Sequence, residues 1–374
     1  MKKKIIPYVD LKKQFNSEKK NILKAINSCF KSGNFILGNH VEMLEKKIAN
    51  YCGVKYCVAL NSGTDALTIA LHLLGVKKGD EVITPPNSFV ASTAAIVHLG
   101  AIPVFADVLE DQNIDPLEIE KKISKKTSAI MPVHLTGKPC KMTDIIKISK
   151  KYKIPVVEDA AQAIGTKLNG KMVGTFGEVG CFSAHPLKNL NAVGDSGYLI
   201  TNKKNVYEKA KLLRNHGIKS RKNIKFFGYV SRMDSIQAAV LIFRLKNLNT
   251  IINKRRNNAK IYKKFLQKIV QIKLPFEEKG EFSTYHTYVV QVEKRDKLQK
   301  FLKRKGVNTL IHYPILINKS EAYKRIFGKK KINLPIAEQQ SKKILTLPIN
   351  QFLKISEIKI ICDSIELFYK QNEN

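Results

Sequence analysis

The chain has 374 residues, 44% of them hydrophobic, enough for a large domain and a smaller one, which excludes a disordered tail or a disulfide-stapled mini-scaffold. Its 66 basic against 31 acidic residues leave a formal charge of +35, a balance that would suggest nucleic acid; but the lysines are scattered among Asn and Ile, as in Lys222-Asn223-Ile224-Lys225 and Lys329-Lys330-Lys331-Ile332-Asn333, which reads as AT-rich coding and not as a dedicated nucleic-acid surface. The six cysteines stand singly, without CxxC or zinc-finger spacing, which predicts reduced thiols and no metal site.

The start, Met1-Lys2-Lys3-Lys4-Ile5-Ile6, has the charge of a signal-peptide n-region, but Pro7, Asp10, Lys12 and Lys13 interrupt any apolar h-region. No later uncharged run is long enough to cross a bilayer, so a cytoplasmic protein without a membrane partner is expected. From about residue 55 to 200, short apolar runs alternate with helical patterns, the signature of an α/β domain with a mainly parallel sheet. Strands are predicted at Tyr56–Leu60, Glu81–Thr84, Ile102–Phe105, Ala129–Val133, Pro155–Val157 and Tyr198–Thr201. Helices are predicted at Asp65–Leu74, Ser92–Leu99 and Met142–Lys151. After about residue 235 a helical run extends from Ile236 through Leu248 to about Ile269. A mixed region follows, with strands at Tyr285–Val292 and Leu310–His312 and a helix at Lys297–Lys305. The expected division is a large domain over residues 1–245 and a small α+β domain over 246–374, with residues 1–30 belonging to the first or packing on the second.

Three segments carry chemistry. In Asn61-Ser62-Gly63-Thr64-Asp65-Ala66-Leu67 a strand ends in a Gly turn and opens a helix, where free N–H groups and the dipole suit a phosphate; an ordinary N-cap is the alternative. In Val156-Val157-Glu158-Asp159-Ala160-Ala161-Gln162 an acid emerges at the end of a buried strand, where α/β sheets place ligands. There it either pairs with a cation, such as a protonated pyridine nitrogen, or caps the next turn. In Cys181-Phe182-Ser183-Ala184-His185-Pro186-Leu187-Lys188-Asn189-Leu190, followed by Gly194-Asp195-Ser196-Gly197, a lysine lies on an irregular stretch between apolar strands. Such an amine can form an imine with an aldehyde and shuttle a proton between carbon centres.

These segments, in this order, resemble the DegT/StrS-type sugar aminotransferases among the fold-type-I pyridoxal-phosphate enzymes. The resemblance extends from Ile6-Pro7-Tyr8-Val9-Asp10-Leu11 and Gly33-Asn34-Phe35-Ile36-Leu37-Gly38 to Arg232-Met233-Asp234-Ser235-Ile236-Gln237-Ala238-Ala239 and Ile311-His312-Tyr313-Pro314. It implies a large α/β domain with a mostly parallel seven-stranded sheet plus a small C-terminal α+β domain, and a homodimer with the cofactor, pyridoxal 5′-phosphate, at the subunit interface. It implies that Lys188 forms the Schiff base, that Asp159 pairs with the pyridine nitrogen and that Gln162 bonds the phenolic oxygen. Phe89 would stack on the ring or pack in the core, and Gly63, Thr64 and Ser183 would cradle the phosphate. His312 and Tyr313 would face the substrate or serve a hinge.

The implied reaction takes the amino group of L-glutamate and gives it to a keto-sugar, nucleotide-linked. Ser62-Gly63-Thr64-Asp65 leans towards C-3 of a 6-deoxyhexose, with C-4 as the alternative. A histidine in place of Lys188 would have meant the dehydratase branch, and a regulatory or binding protein on the same scaffold is the other rival. Two departures stand out. Val230 replaces the asparagine by which relatives reach the partner subunit's cofactor phosphate, a contact then absent or supplied by Ser231 or the backbone, and Asn223–Phe227 lacks the histidine of relatives.

Overall fold

The structure, a computed structural model, describes residues 5–329 and 331–372. The basic start at residues 1–4 and Lys330 of the lysine run lie outside the described residues.

Seven strands line up between residues 56 and 201: β1 (Tyr56–Leu60), β2 (Glu81–Thr84), β3 (Ile102–Phe105), β4 (Thr127–Ile130), β5 (Val157–Asp159), β6 (Val179–Ser183) and β7 (Gly197–Thr201). One ladder has the order β1-β7-β6-β5 and another the order β3-β2-β4. Parallel bridges at Ile130–Val156 and Val133–Asp159 carry one into the other. Only β7 runs antiparallel to its neighbours. The sequence is buried on both faces, as a parallel sheet flanked by helices requires. Alternate residues of one strand face two different cores: Cys57 and Ala59 pack with the helix Asn39–Cys52, and Val58 and Leu60 with the helix Gly63–Leu73.

A second sheet is made of β8 (Ile272–Lys273), β9 (Tyr288–Val292) and β10 (Ile344–Leu347), antiparallel in that order. The helices Leu248–Leu266, Arg295–Arg304 and Ile355–Lys370 cover it with a separate apolar cluster. Ile6 joins that cluster and bridges Val307, while the helix Leu11–Ser32 reaches back to a loop of the first sheet through Gln14 on Asn191 and to the helix Ser235–Leu245 through Glu18 on Arg244.

The expected elements differ at several places. The strand expected at Pro155–Val157 runs Val157–Asp159 and that expected at Ala129–Val133 runs Thr127–Ile130, Val156 and Val133 being joined to the neighbouring strand only by single bridges. The strand Val179–Ser183 is added to those read from the sequence. The long helical run breaks at Lys246–Asn247 into Ser235–Leu245 and Leu248–Leu266, because Asn247 leaves helical geometry (φ −104°, ψ 1°) and redirects the second helix onto the second sheet. The strand expected from Tyr285 starts only at Tyr288, since Tyr285 takes a positive φ of 46°. The strand expected at Leu310–His312 is a single bridge from Leu310 to Thr346. Among the described residues no helix is long and apolar enough to cross a membrane.

Candidate active site

Parallel strands deliver their carboxyl ends to one edge of the sheet, and the register shows which residues meet there. Leu60 pairs with Gly197, Gly197 with Ser183, and Cys181 with Asp159. The crossing of β1, β6 and β7 is tight enough to require glycine twice. A Cβ on Gly197 would lie 2.3 Å from the Ser62 carbonyl carbon, and one on Gly63 would lie 2.7 Å from Ser183 Cβ. Ser62 and Gly63 are therefore held against Ser183, with the N-terminus of the helix Gly63–Leu73 opening at the same place. Ser62 caps that helix by accepting from the Asp65 amide at 3.1 Å, so the N-cap reading is correct and leaves the remaining first-turn amides for another acceptor.

A cavity of about 290 Å³ lies at this edge, between the first sheet's loops and His286, His312, Tyr313, Ile349 and Asn350 from beside the second sheet. Gly63, Thr64, Phe89, Asp159, Gln162, Ser183, Lys188, His312 and Tyr313 all line it. The structure thus brings every one of the site residues read from the sequence to one place. It adds Tyr8, Ser92, His185, Asp195, Ser196, Arg255, His286 and Asn350, of which Arg255, His286 and Asn350 lay outside the stretches that the sequence had marked.

The two neighbouring acids of β5 part company by the two-residue period of a strand. Glu158 is fully buried and accepts from the amides of Gly174, Phe176 and Gly177, each at 2.7 Å, and contacts His134 Nε2 at 3.0 Å. The Cys140 amide donates to His134 Nδ1, so Nε2 carries the proton and the pair is internally satisfied. Asp159 faces the cavity, 4% exposed. It accepts from Ser92 Oγ at 2.7 Å and from the Ala161 amide at 3.1 Å. The turn-capping expectation is therefore met as well, but among the described residues no cation pairs with this carboxylate. Burial raises its pKa, opposed by these hydrogen bonds and by Lys188 and His134.

Lys188 stands on the loop between β6 and β7, its amide bonded to the His185 carbonyl at 2.8 Å. Burial lowers its ammonium to a pKa of about 8, against the pull of Asp159, so a sizeable fraction is the free amine near neutral pH. Gln162 Oε1 accepts from the Thr136 amide at 2.8 Å. This fixes its orientation, with Nε2 as a donor 3.4 Å from the Tyr313 hydroxyl. Phe89 is 53% exposed, so it is not a core residue, and its ring centroid lies 5.8 Å from that of Tyr313. His312 Nδ1 meets Thr346 Oγ1 at 2.9 Å, and burial lowers its pKa to about 4.

A family model described as the DegT/DnrJ/EryC1/StrS aminotransferase family matches residues 16–366. The chain belongs to that family. A pleiotropic regulatory protein of Geobacillus stearothermophilus is 38% identical, over 98% of this chain and 99% of its own. A dTDP-3-amino-3,6-dideoxy-alpha-D-galactopyranose transaminase of Aneurinibacillus thermoaerophilus is also 38% identical, over 97% and 99%. DesV of S. venezuelae, solved in complex with a ketimine intermediate, superposes with a TM-score of 0.95 at 35% identity, covering 97% of this chain and 98% of that one.

The cofactor of the family's aminotransferases, pyridoxal 5′-phosphate, fits this donor set. The Asp159 carboxylate lacks a cation, as a protonated ring nitrogen would supply. The Ser196 hydroxyl, 1% exposed and on a residue that lines the cavity with Ser183 and Gly63, has no partner among the described residues, as expected of a group that awaits a phosphate. The family's departure at Val230 also takes a definite form. Val230 is 57% exposed, bridged to Asn215 and absent from the lining of its own cavity. Ser231 does not replace the missing donor: it is fully buried and its hydroxyl already bonds Asn61 Oδ1 at 3.1 Å.

Proposed function

We propose that this protein transfers an amino group from L-glutamate to a nucleotide-linked 3-keto-6-deoxyhexose. The observation that carries the reading is a buried carboxylate without a counter-ion, Asp159, in one cavity with a lysine of lowered pKa, Lys188. The sugar is argued from the Aneurinibacillus relative and from two others, named dTDP-3-amino-3,4,6-trideoxy-alpha-D-glucose transaminase and UDP-2-acetamido-2-deoxy-3-oxo-D-glucuronate aminotransferase, at 35% and 37% identity.

In this reading Lys188 would hold the cofactor through its aldehyde and, with its amine free, would carry a proton to and from the amino-bearing carbon. Pyridoxal phosphate supplies a cationic ring that accepts an electron pair from the deprotonated carbon. Asp159 holds the proton on the ring nitrogen, and Ser92 and the Ala161 amide hold Asp159. Gln162 donates through Nε2 to the phenolic oxygen, Phe89 stacks on the ring face, and Gly63, Thr64, Ser183 and Ser196 receive the phosphate. His312 and Tyr313 face the substrate from the second domain, the chain dividing at residues 245 and 246. The enzyme works in the cytoplasm as a homodimer, with each site completed across the interface and no nucleic-acid partner.

The test is purified protein with L-glutamate and a panel of nucleotide keto-sugars, products being read by mass and by position of the amine. A 3-amino-6-deoxy product is expected. Amination at C-4 alone rejects the regiochemistry, and a colourless protein inert towards every donor rejects the enzyme in favour of a regulatory role.

Two expected results follow from the same site. Capture of pyridoxal phosphate by the apo-protein needs the Lys188 free amine, whose facing groups are Asp159, His286 and His312. Below a pKa of about 8 the capture rate measured by absorbance should therefore rise about tenfold per pH unit and then level off. Val230→Asn should restore the family's contact to the partner's phosphate. A hydrogen bond to a charged acceptor contributes about 1.5–3 kcal/mol, so titration of the apo-protein should show cofactor held roughly tenfold tighter or more. No gain would mean that this loop does not reach the partner's site.

A further inference from the structure

The helix Leu11–Ser32 has little apolar reason to lie where it does. Only Gln14, Ile22 and Cys29 of its 22 residues are buried, and the first of these is an amide, 4% exposed. A buried amide is costly unless its donor and its acceptor both find partners. One residue 177 positions away supplies both. Gln14 Nε2 donates to Asn191 Oδ1 at 3.0 Å, and Asn191 Nδ2 donates to Gln14 Oε1 at 3.2 Å and to the Pro186 carbonyl at 2.7 Å. One turn further along the helix, Glu18 pairs with Arg244 at 2.9 Å, and Arg244 Nη1 donates to the carbonyls of Asn191 and Ala192 at 2.8 and 3.1 Å.

Pro186, Asn191 and Ala192 belong to the loop between β6 and β7, and they bracket Lys188. Among the described residues, the one backbone–backbone bond within 185–191 is that from Lys188 to His185, and Ala192 closes the loop on Ala184. The placement of the loop is thus left to side chains: Asn189 on the Thr284 carbonyl at one side, and the Gln14, Asn191 and Arg244 set at the other. Gln14, Asn191, Pro186 and Leu187 also line, with Lys188, a void of about 10 Å³, room for one water at most. Lys188 lines both this void and the large cavity, so the amide pair backs the lysine on the side away from Asp159.

We infer that Gln14 and Asn191, braced by Glu18 and Arg244, are positioning residues for Lys188: the N-terminal helix fixes the loop that presents the amine to the cavity. The amine's task rests on the amino transfer proposed above, whereas its placement is a property of the apo-protein. Two reciprocal amide bonds suit such a role. A charged pair in their position would alter the proton affinity of the amine, while neutral amides fix the loop and leave that affinity to burial and Asp159. A shift of about 1 Å in a reacting group costs up to roughly 10²-fold in rate, so a loop held mainly by side chains needs a rigid support.

Capture of pyridoxal phosphate by the apo-protein, followed by absorbance against pH, reports on the Lys188 amine. Around that amine stand Asp159, His185 and Asp195 from the strand ends, Tyr8 and Asp10 from the N-terminal segment, and Arg255, His286, His312 and Tyr313 from beside the second sheet. A change at Gln14 alters none of them. Gln14→Met keeps the length of the side chain and removes both bonds. It is expected to let water reach the amine and to raise the midpoint of capture, about 8 in the unmodified protein, by about one pH unit, so that capture below the midpoint slows about tenfold. In the loaded enzyme kcat should fall about 10- to 100-fold with half-saturating L-glutamate changed less than about threefold. Gln14→Glu, which as a neutral buried acid can still donate and accept, should restore most of both. A lowered melting temperature with midpoint and kcat unchanged would make the pair a mere anchor of the helix and overturn the inference. So would a Gln14→Glu protein as impaired as Gln14→Met, because the loss would then not follow the amide bonds. Capture needs no amino acid or sugar, so a protein inert towards every donor would sink the amino transfer and leave this measurement decisive for the placement. A protein that captures no pyridoxal phosphate would sink the placement as well.

Discussion

Replacing Lys188 by alanine is expected to abolish amino transfer while leaving the fold intact. The side chain projects into the cavity from an irregular loop whose path is held by backbone bonds, Lys188 to His185 and Ala192 to Ala184, and not by the ammonium. No ion pair is lost among the described residues, and removing an amine whose charge is already penalised by burial costs the fold little. In the proposed function, what would disappear is the group that fixes the aldehyde and the one lysine among the described residues lining the cavity that could carry a proton between carbons. A fall of about 10²- to 10⁴-fold is expected from loss of the proton carrier alone, with loss of the borohydride-reducible link between cofactor and protein adding to it. Turnover at the unmodified rate would remove Lys188 from the chemistry and leave the cavity as a binding site only.

The parts of the site that were legible in the sequence are those where function and local structure coincide. Gly63, Asp159 and Ser183 lie where a strand ends, and the change from apolar run to polar turn marks such places. Lys188 was marked by its irregular, Pro- and Gly-bounded setting. Arg255 gave no such sign: it is one of 66 basic residues, on a helix with polar and charged neighbours, and only its burial without a counter-ion among the described residues distinguishes it. Ser196 and His286 likewise become visible through an unpaired atom, a property that the folded arrangement alone defines.

The fold shows the same division. Short buried strands such as Tyr56–Leu60 are continuous apolar runs and were readable. The helix Leu11–Ser32 was not, because just three of its residues, Gln14, Ile22 and Cys29, are buried, too few for an apolar stripe. The break at Lys246–Asn247 lacked the Gly or Pro that usually announces one. Its cause lies in where the second helix must go to cover β9 and β10. The +35 charge, finally, gives a positive field of the kind that favours arrival of anionic substrates; Lys188 and Arg255 carry it into the cavity, whereas burial holds His286 and His312 neutral there.

Asp159→Asn is expected to lower the rate of amino transfer by about 10² to 10³-fold without unfolding the protein. The substitution is isosteric, and both existing contacts survive it. The amide oxygen can still accept from the Ala161 N–H, now at 3.1 Å, and the amide nitrogen can donate to Ser92 Oγ, now at 2.7 Å, after the hydroxyl has rotated. Removing a carboxylate that burial already disfavours should leave the melting temperature of the apo-protein unchanged or raise it. The loaded protein differs, since an amide has no charge with which to hold a proton on the ring nitrogen, and an uncharged ring is a poor acceptor of the electron pair released at the substrate carbon. The fall should appear in the maximal rate of both half-reactions, because both require that acceptor. Ser92→Ala should cost far less, since it removes one of the two contacts on Asp159 and leaves the charge. Kinetics of Asp159→Asn close to those of the unmodified enzyme would make Asp159 a turn cap and nothing more, and the cationic ring would need another partner in the cavity.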